Sequence, residues 1–209
     1  RGKLKVTFQW DQIPLFISAD TRTLYTVEAP GVFRLADSIQ SGAQTGTQPI
    51  SAVAGTATPF NVRSRRDTAL FKLLYSPTRE FDVKFNLRTV HREGTMPYGV
   101  TFSQTNQVEL PVPIDTRSTD AGAGIEWTRP KQSLRVSYDG SWFHNNGEAL
   151  VWDNPLRLGD SATLGPGQGR AALAPSNAMN AGTVAGAIEL SARTHVTGSV
   201  TAGKWSHDE

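Results

Sequence analysis

The 209-residue chain contains no cysteine. That excludes disulfides, a zinc–thiolate centre and covalent haem attachment through C-x-x-C-H within these residues, and it fits an oxidising envelope compartment. No apolar run approaches the roughly 18 residues of a membrane helix. No basic stripe exists either: 21 basic and 19 acidic residues are interspersed for a net charge of +2, which speaks against nucleic acid as a partner. Hydrophobic residues reach only 38%, low for a packed globular domain, although the length would permit one. The chain carries 19 Gly and 12 Pro, which favours strands and loops over helices. It shows no signal peptide, opens at Arg1 in a strand pattern, and stops in 204-KWSHDE-209 with another pattern running. The expectation is an internal piece of a longer protein.

What is present is alternation. In 3-KLKVTFQW-10, Leu4, Val6, Phe8 and Trp10 point one way, and Lys3, Lys5, Thr7 and Gln9 the other. A side-chain period of two makes this a strand with one apolar and one polar face. Seven such segments are predicted, at about 2–10, 67–75, 80–92, 121–129, 132–144, 182–191 and 195–206. In the third, Phe81, Val83, Phe85, Leu87 and Thr89 oppose Asp82, Lys84, Asn86 and Arg88. The fourth sets Ile125 and Trp127 against Glu126, and the fifth sets Leu134, Val136, Tyr138 and Trp142 against Arg135 and Asp139. The sixth places Val184, Ile188 and Leu190 on one face, and the seventh Val196, Val200 and Ala202.

The connections carry more information. The stretches 76-SPTR-79, 129-RPKQ-132 and 191-SART-194 read as tight hairpin turns. Residues 11–66, 93–120 and 145–181 read as long Gly/Pro/Thr-rich loops. In an up-and-down sheet, strictly alternating short and long connections put all tight turns at one end. Outer-membrane barrels have that asymmetry, with strands of about 9–11 residues, whereas long structureless loops are uncommon in compact soluble domains. The expected fold is therefore all-β: part of a single large antiparallel up-and-down transmembrane β-barrel, with strands missing at both ends. Its lipid-facing residues would be Leu4, Val6, Phe8, Phe81, Val83, Phe85, Leu87, Ile125, Trp127, Leu134, Val136 and Tyr138. Its lumen-facing residues, which would touch any partner inside, would be Lys3, Lys5, Gln9, Asp82, Lys84, Asn86, Arg88, Glu126, Arg135 and Asp139. Trp10, Tyr75, Trp127, Trp142 and Trp205 near strand ends would form interface girdles. A soluble glycan-binding sandwich shows the same alternation and stays open as an alternative.

Chemical motifs are weak. Gly-Asp-Ser in 159-GDSATLG-165 has no D-x-x-H box to supply a base for Ser161, and 205-WSHDE-209 runs in the reversed order. The loop 165-GPGQGR-170 lacks the lysine and helix of a phosphate cradle. His91, His144, His195 and His207 have no metal-site spacing. Arg63, Arg65 and Arg66 form the one dense basic cluster, read as a solvated loop edge, with contact to an anionic surface as the alternative. Glu126, Asp139 and Asp82 lie on polar strand faces with Lys84, Arg88 and Arg135; two of these carboxylates could flank a sugar, but spacing fixes no distance between them, and a mixed-charge lumen wall is the simpler account. No catalytic, metal-binding or cofactor-binding residue is expected, and no enzymatic activity.

Several stretches resemble the MtrB/PioB family of outer-membrane barrels associated with decahaem c-type cytochromes. They are 9-QWDQIPLFISADTRTLYTVEAPGVFRLAD-37, 138-YDGSWFHNNGEALVWDNPLR-157 and 169-GRAALAPSNAMNAGTVAGA-187, with W-D-Q-I-P, W-D-N-P and G-R-x-x-L-x-P-x-N as signatures. The turns 76-SPTR-79 and 191-SART-194 are similar too. The resemblance implies a barrel in the bacterial outer membrane that sheathes a multihaem c-type cytochrome and so serves extracellular electron transfer. Haem would belong to the partner. Family members can carry a cysteine pair near the N-terminus, which this chain lacks. A diffusion porin with an empty lumen is the alternative within the same fold.

Overall fold

The computed structural model describes residues 3–102, 106–163 and 165–207. Seven long strands form one antiparallel sheet in the order β1 (Lys3–Thr23), β4 (Thr58–Ser76), β5 (Phe81–Phe102), β6 (Asn106–Arg129), β7 (Gln132–Asn145), β10 (Asn177–Ser191) and β11 (Thr194–His207). Each strand pairs with its predecessor and successor in this order, as the alternation predicts. Gly2, His207's neighbour Asp208, and Glu209, which the strand patterns touch, lie outside the described residues. The sheet is open, with β1 and β11 at its two edges.

All three tight turns lie at one end. Between β4 and β5 the Ser76 hydroxyl bonds Asp82, and the Thr78 hydroxyl accepts from the Glu80 N–H at 3.3 Å. Glu80 then reaches Arg129 at 3.0 Å, which ties this turn to the next one. At 191–194 the Ser191 hydroxyl accepts from the Arg193 N–H at 3.3 Å.

The opposite end corrects the sequence reading. Residues 93–120 are not a loop. β5 and β6 stay paired without a register shift from Phe81–Trp127 to Phe102–Asn106. Pro97, Pro111 and Pro113 had read as loop residues, and the pairing explains their tolerance. Pro97 faces Pro111 directly, so this cannot be a hydrogen-bonded pair. The proline nitrogens point outward, where the neighbours have already ended: β4 last pairs with β5 at Arg63–Thr95, and β7 with β6 at Thr116–Asn145. The hairpin has become its own pair of edges, where proline costs no ladder bond. Gly94, with φ of +153°, marks the departure point; a Cβ there would lie 2.2 Å from the Arg63 carbonyl oxygen.

The other two predicted loops also fold. Segments 24–57 and 146–176 supply β2 (Thr26–Ala29), β3 (Val32–Arg34), β8 (Ala149–Asp153) and β9 (Gln168–Ala172), which form a second sheet in that order. They also supply helices α1 (Asp37–Thr45) and α2 (Ile50–Val53). The hydrophobic core of the molecule sits here. Tyr25, Phe33, Leu35, Leu150 and Trp152 of this cap pack with Val100, Val108, Leu110 and Val112 of the β5–β6 hairpin. Those four hairpin residues share the alternation of Asp82 and Lys84. The cap is therefore mounted on the continuation of the sheet's polar face, beyond its charged stretch.

Candidate functional site

The registers place all ten predicted polar-face residues on one side of the sheet and all twelve apolar ones on the other. Lys5 pairs with Leu74, Leu74 with Lys84, and Lys84 with Gly124. Gln9 lines up through Leu70 with Arg88, and Asp82 through Glu126 with Arg135. Asn86 lines up through Gly122 with Asp139, and Lys3 shares the alternation of Lys5. On the reverse side run the rows Leu4–Tyr75–Val83–Ile125–Val136 and Val6–Leu73–Phe85–Ala123–Tyr138. Phe8 lines up with Phe71 and Leu87, and Phe81 with Trp127 and Leu134.

Among the described residues, no element of the fold covers this apolar face. Phe8 is 69% exposed and Val200 73%. A sandwich would have laid its second sheet here, but the second sheet packs on the hairpin extension instead. The apolar band ends abruptly on the side away from the tight turns. Past Trp10, Thr89, Thr119 and Trp142, the next row on the same face is Gln12, Asp67, His91, Arg117 and His144. On β10 and β11 polarity begins two rows earlier, in the row of Phe8, with Asn180 opposite Lys204, and apolar residues continue instead toward the turn with Ile188 opposite Val196. The band thus crosses the strands obliquely. Trp205 departs from the girdle expectation: its partner is Met179, which pairs with Ser141, so Trp205 belongs to the polar face.

The polar face is wired across strands. Lys84 pairs with Glu126, and Arg88 reaches Asp120 at 3.8 Å. Asp120 also accepts from the Ser141 hydroxyl at 2.7 Å, and Thr183 and Thr201 share a hydrogen bond of 2.9 Å. These side chains are largely exposed, and such pairs contribute about 0–1 kcal/mol each, so they arrange charge more than they hold the fold. Gly122 and Gly124 leave a recess of about 110 Å³ bordered by Lys84, Asn86, Glu126, Arg135 and Asp139. Glu126 stands directly opposite Asp82 across the strands, but each carboxylate is engaged, Glu126 with Lys84 and Asp82 with the Ser76 hydroxyl. The sequence reading did not single out Lys72 and Asp120. Lys72 was legible from the alternation of 67–75, whereas Asp120 fell just before the predicted strand start.

The remaining motifs resolve into structure. Ser161 lies against Thr163 at 3.3 Å and forms an isolated bridge with Gly165. In 165-GPGQGR-170 the Gly167 N–H donates to Asp160 at 2.8 Å, and the segment leads into β9. The arginine cluster is corrected: it is not a loop edge but part of β4, with Arg63 and Arg65 on one face and Arg66 on the other. Arg65 pairs with Asp67 and Glu93, both at 3.1 Å. His91 meets Asp115 at 2.9 Å and His144 meets Ser176 at 3.2 Å. Among the described residues, no three His, Asp or Glu side chains gather as a metal site.

The signature motifs build the cap. In W-D-N-P, Trp152 enters the core, and Asp153 accepts from Arg34, the Leu35 N–H and Gln168 at 3.0–3.1 Å. Buried Asn154 donates to the Pro166 carbonyl and accepts from the Leu156 N–H. The Tyr25 hydroxyl donates to the Asp153 carbonyl at 2.8 Å; burial, and next the Asp153 charge, push this phenol above its ordinary range. In G-R-x-x-L-x-P-x-N, Gly169 lies under the Trp152 indole, and Leu173 packs on the core. These motifs are architectural.

Against known proteins, no curated protein matches the chain. Residues 1–209 match the family described as "Putative outer membrane beta-barrel porin, MtrB/PioB". The match spans the whole chain, and it agrees with a seven-stranded meander that has one apolar band and one charged face: the chain belongs to the MtrB/PioB family of outer-membrane β-barrel porins.

Proposed function

We propose that the chain forms one wall of a closed outer-membrane barrel that sheathes a multihaem c-type cytochrome, with the apolar band against lipid and the charged face toward the lumen. Closure would satisfy the free edges of β1 and β11 with further strands, as lipid demands. The band on β5 runs from Phe81 to Thr89; at the usual strand rise and tilt this spans about 20 Å of membrane height. Tight turns then belong in the periplasm and the cap outside.

The observation that carries the sheath reading is the cap. A diffusion porin needs an open mouth, whereas here a folded subdomain with its own core stands on the lumen side of the hairpin extension. In this reading the wall performs no redox chemistry and holds no haem: the chain has no cysteine to attach one, and its polar face offers hydrogen bonds and both charge signs to a folded partner. Electrons would pass along the cytochrome, insulated from lipid by the wall.

The test is extraction of the full-length protein from its outer membrane in mild detergent, followed by native electrophoresis with haem staining. Comigrating haem is the expected result. A haem-free barrel of the right mass would leave the barrel standing and move the function to solute diffusion.

A further inference from the structure

We propose that the part of the polar face spanning β1, β4 and β5 is a seat for carboxylates on the surface of a folded acidic protein. This deepens the sheath reading and rests on it. The pairings set out three rows: Lys5–Leu74–Lys84, Thr7–Lys72–Asn86 and Gln9–Leu70–Arg88. Three cations and a fourth at the centre thus surround two leucines. Together they border a shallow concavity of about 780 Å³.

Charge is distributed unevenly around this block. Lys84 and Arg88 spend part of their charge on Glu126 and Asp120, both on the β6 side. Among the described residues, neither Lys5 nor Lys72 has an acid within ion-pair distance. Farther from the tight turns, Arg66 stands directly opposite Arg92 on the same face. Like charges placed opposite one another weaken a sheet unless an anion meets them. The β10–β11 part of the face differs: between Glu189 near the tight turn and the far end, Ala181, Thr183 and Ala185 of β10 face Gly203, Thr201 and Ser199 of β11, an uncharged stretch bordered by Arg135 and Asp139 of β7.

The leucines select among anions. A small diffusing anion would use the lysines and leave Leu70 and Leu74 wet. A protein surface with carboxylates around an apolar spot would use both, because burying the leucines adds a hydrophobic term to the ion pairs. A one-sided cationic seat also fixes the rotation of an object held inside a round wall.

The experiment compares two sets of substitutions in the full-length protein. Lys5→Gln with Lys72→Gln removes two positive charges from the seat. Thr183→Glu with Ser199→Glu makes the same net change on the uncharged stretch. Haem protein retained per assembled barrel is measured at low and high salt, with assembly checked by heat-modifiable migration. The seat variant should bind its partner about tenfold more weakly at low salt, with the gap closing at high salt, while the uncharged-stretch variant matches wild type. Equal retention by the seat variant, or equal loss in both variants, overturns the seat and leaves the sheath intact. A wild-type barrel without a haem protein overturns the sheath itself. A seat variant that only shifts the anion selectivity of ion current through an empty barrel assigns the lysines to diffusing solutes and overturns the proposal.

Discussion

Gly169 lies so close beneath Trp152 that a Cβ built on it would sit 2.3 Å from the indole. β8 and β9 pair these residues directly, so the contact is part of the ladder of the second sheet. Gly169→Val should expel the indole from the core. Overpacking of this kind costs about 1–3 kcal/mol. Leu110→Ala, at a fully buried hairpin position against the cap, should cost about 2–5 kcal/mol. Both variants should still assemble in the outer membrane, because the apolar band is untouched. Protease added to whole cells should cut the cap of either variant far faster than that of wild type. Unchanged cleavage would mean that the cap does not depend on this core.

The lipid-facing assignment makes a paired prediction one residue apart. Phe85 lies mid-band between Leu73 and Ala123, and Asn86 projects to the charged face beside Lys72 and Gly122. Phe85→Arg, and Val83→Arg in the neighbouring row, should impair assembly, at about 2–4 kcal/mol for a midplane position. Asn86→Arg should be tolerated. Equal assembly of Phe85→Arg and Asn86→Arg would mean that the faces have been exchanged or that neither meets lipid.

Much of this arrangement is legible in the chain, for reasons visible in particular residues. Strands with strong contrast, such as 80–92, declare both extent and face. Turns built from Ser-Pro or Arg-Pro set their boundaries to within a residue or two. The extension at 93–120 was hidden because Pro97, Pro111 and Pro113 signal a loop unless the ending of the neighbouring strands is known. The cap was hidden because β2, β3, β8 and β9 run three to five residues each, too short for a period to emerge. The block on β1, β4 and β5 is half visible: in 67-DTALFKLLY-75, Leu70 and Leu74 interrupt the alternation, and only the pairing shows the cations around them.

Asp115 gives the extension a pH dependence. Its carboxylate accepts from His91 at 2.9 Å and from the Asn146 amide at 2.7 Å, beyond the apolar band. The His91 hydrogen bond first, and the Asn146 bond second, hold this carboxyl below its ordinary value. A depressed folded value means that the stabilisation is fully present above the unfolded carboxylate range, near pH 4, and is lost as pH falls through the folded value. Amide exchange around 91–95 and 113–117 should therefore accelerate on acidification below about pH 4. Asp115→Asn should abolish that acceleration. An acid-induced loosening that persists in Asp115→Asn would assign it to other groups.

The tryptophans provide the sharpest test of the registers, because one of them contradicts the simple alternation. Trp10, Trp127 and Trp142 lie on the apolar face, Trp152 is buried in the cap, and Trp205 pairs with Met179 on the polar face. Small residues at Gly198, Ser199 and Gly203 leave β11 without strong contrast between its faces, so only the pairing decides where Trp205 points. Full-length variants that each retain one of these tryptophans, reconstituted with lipids brominated along the acyl chain, report contact with hydrocarbon through quenching. Trp127 and Trp10 should be quenched strongly. Trp142 should be quenched at a different depth from Trp10, because rows perpendicular to tilted strands climb through the membrane. Trp205 and Trp152 should be spared. Quenching of Trp205 as strong as that of Trp127 would place a bulge in β11 that reverses its faces; the uncharged stretch of the polar wall would then have to be redrawn from Thr197 onward.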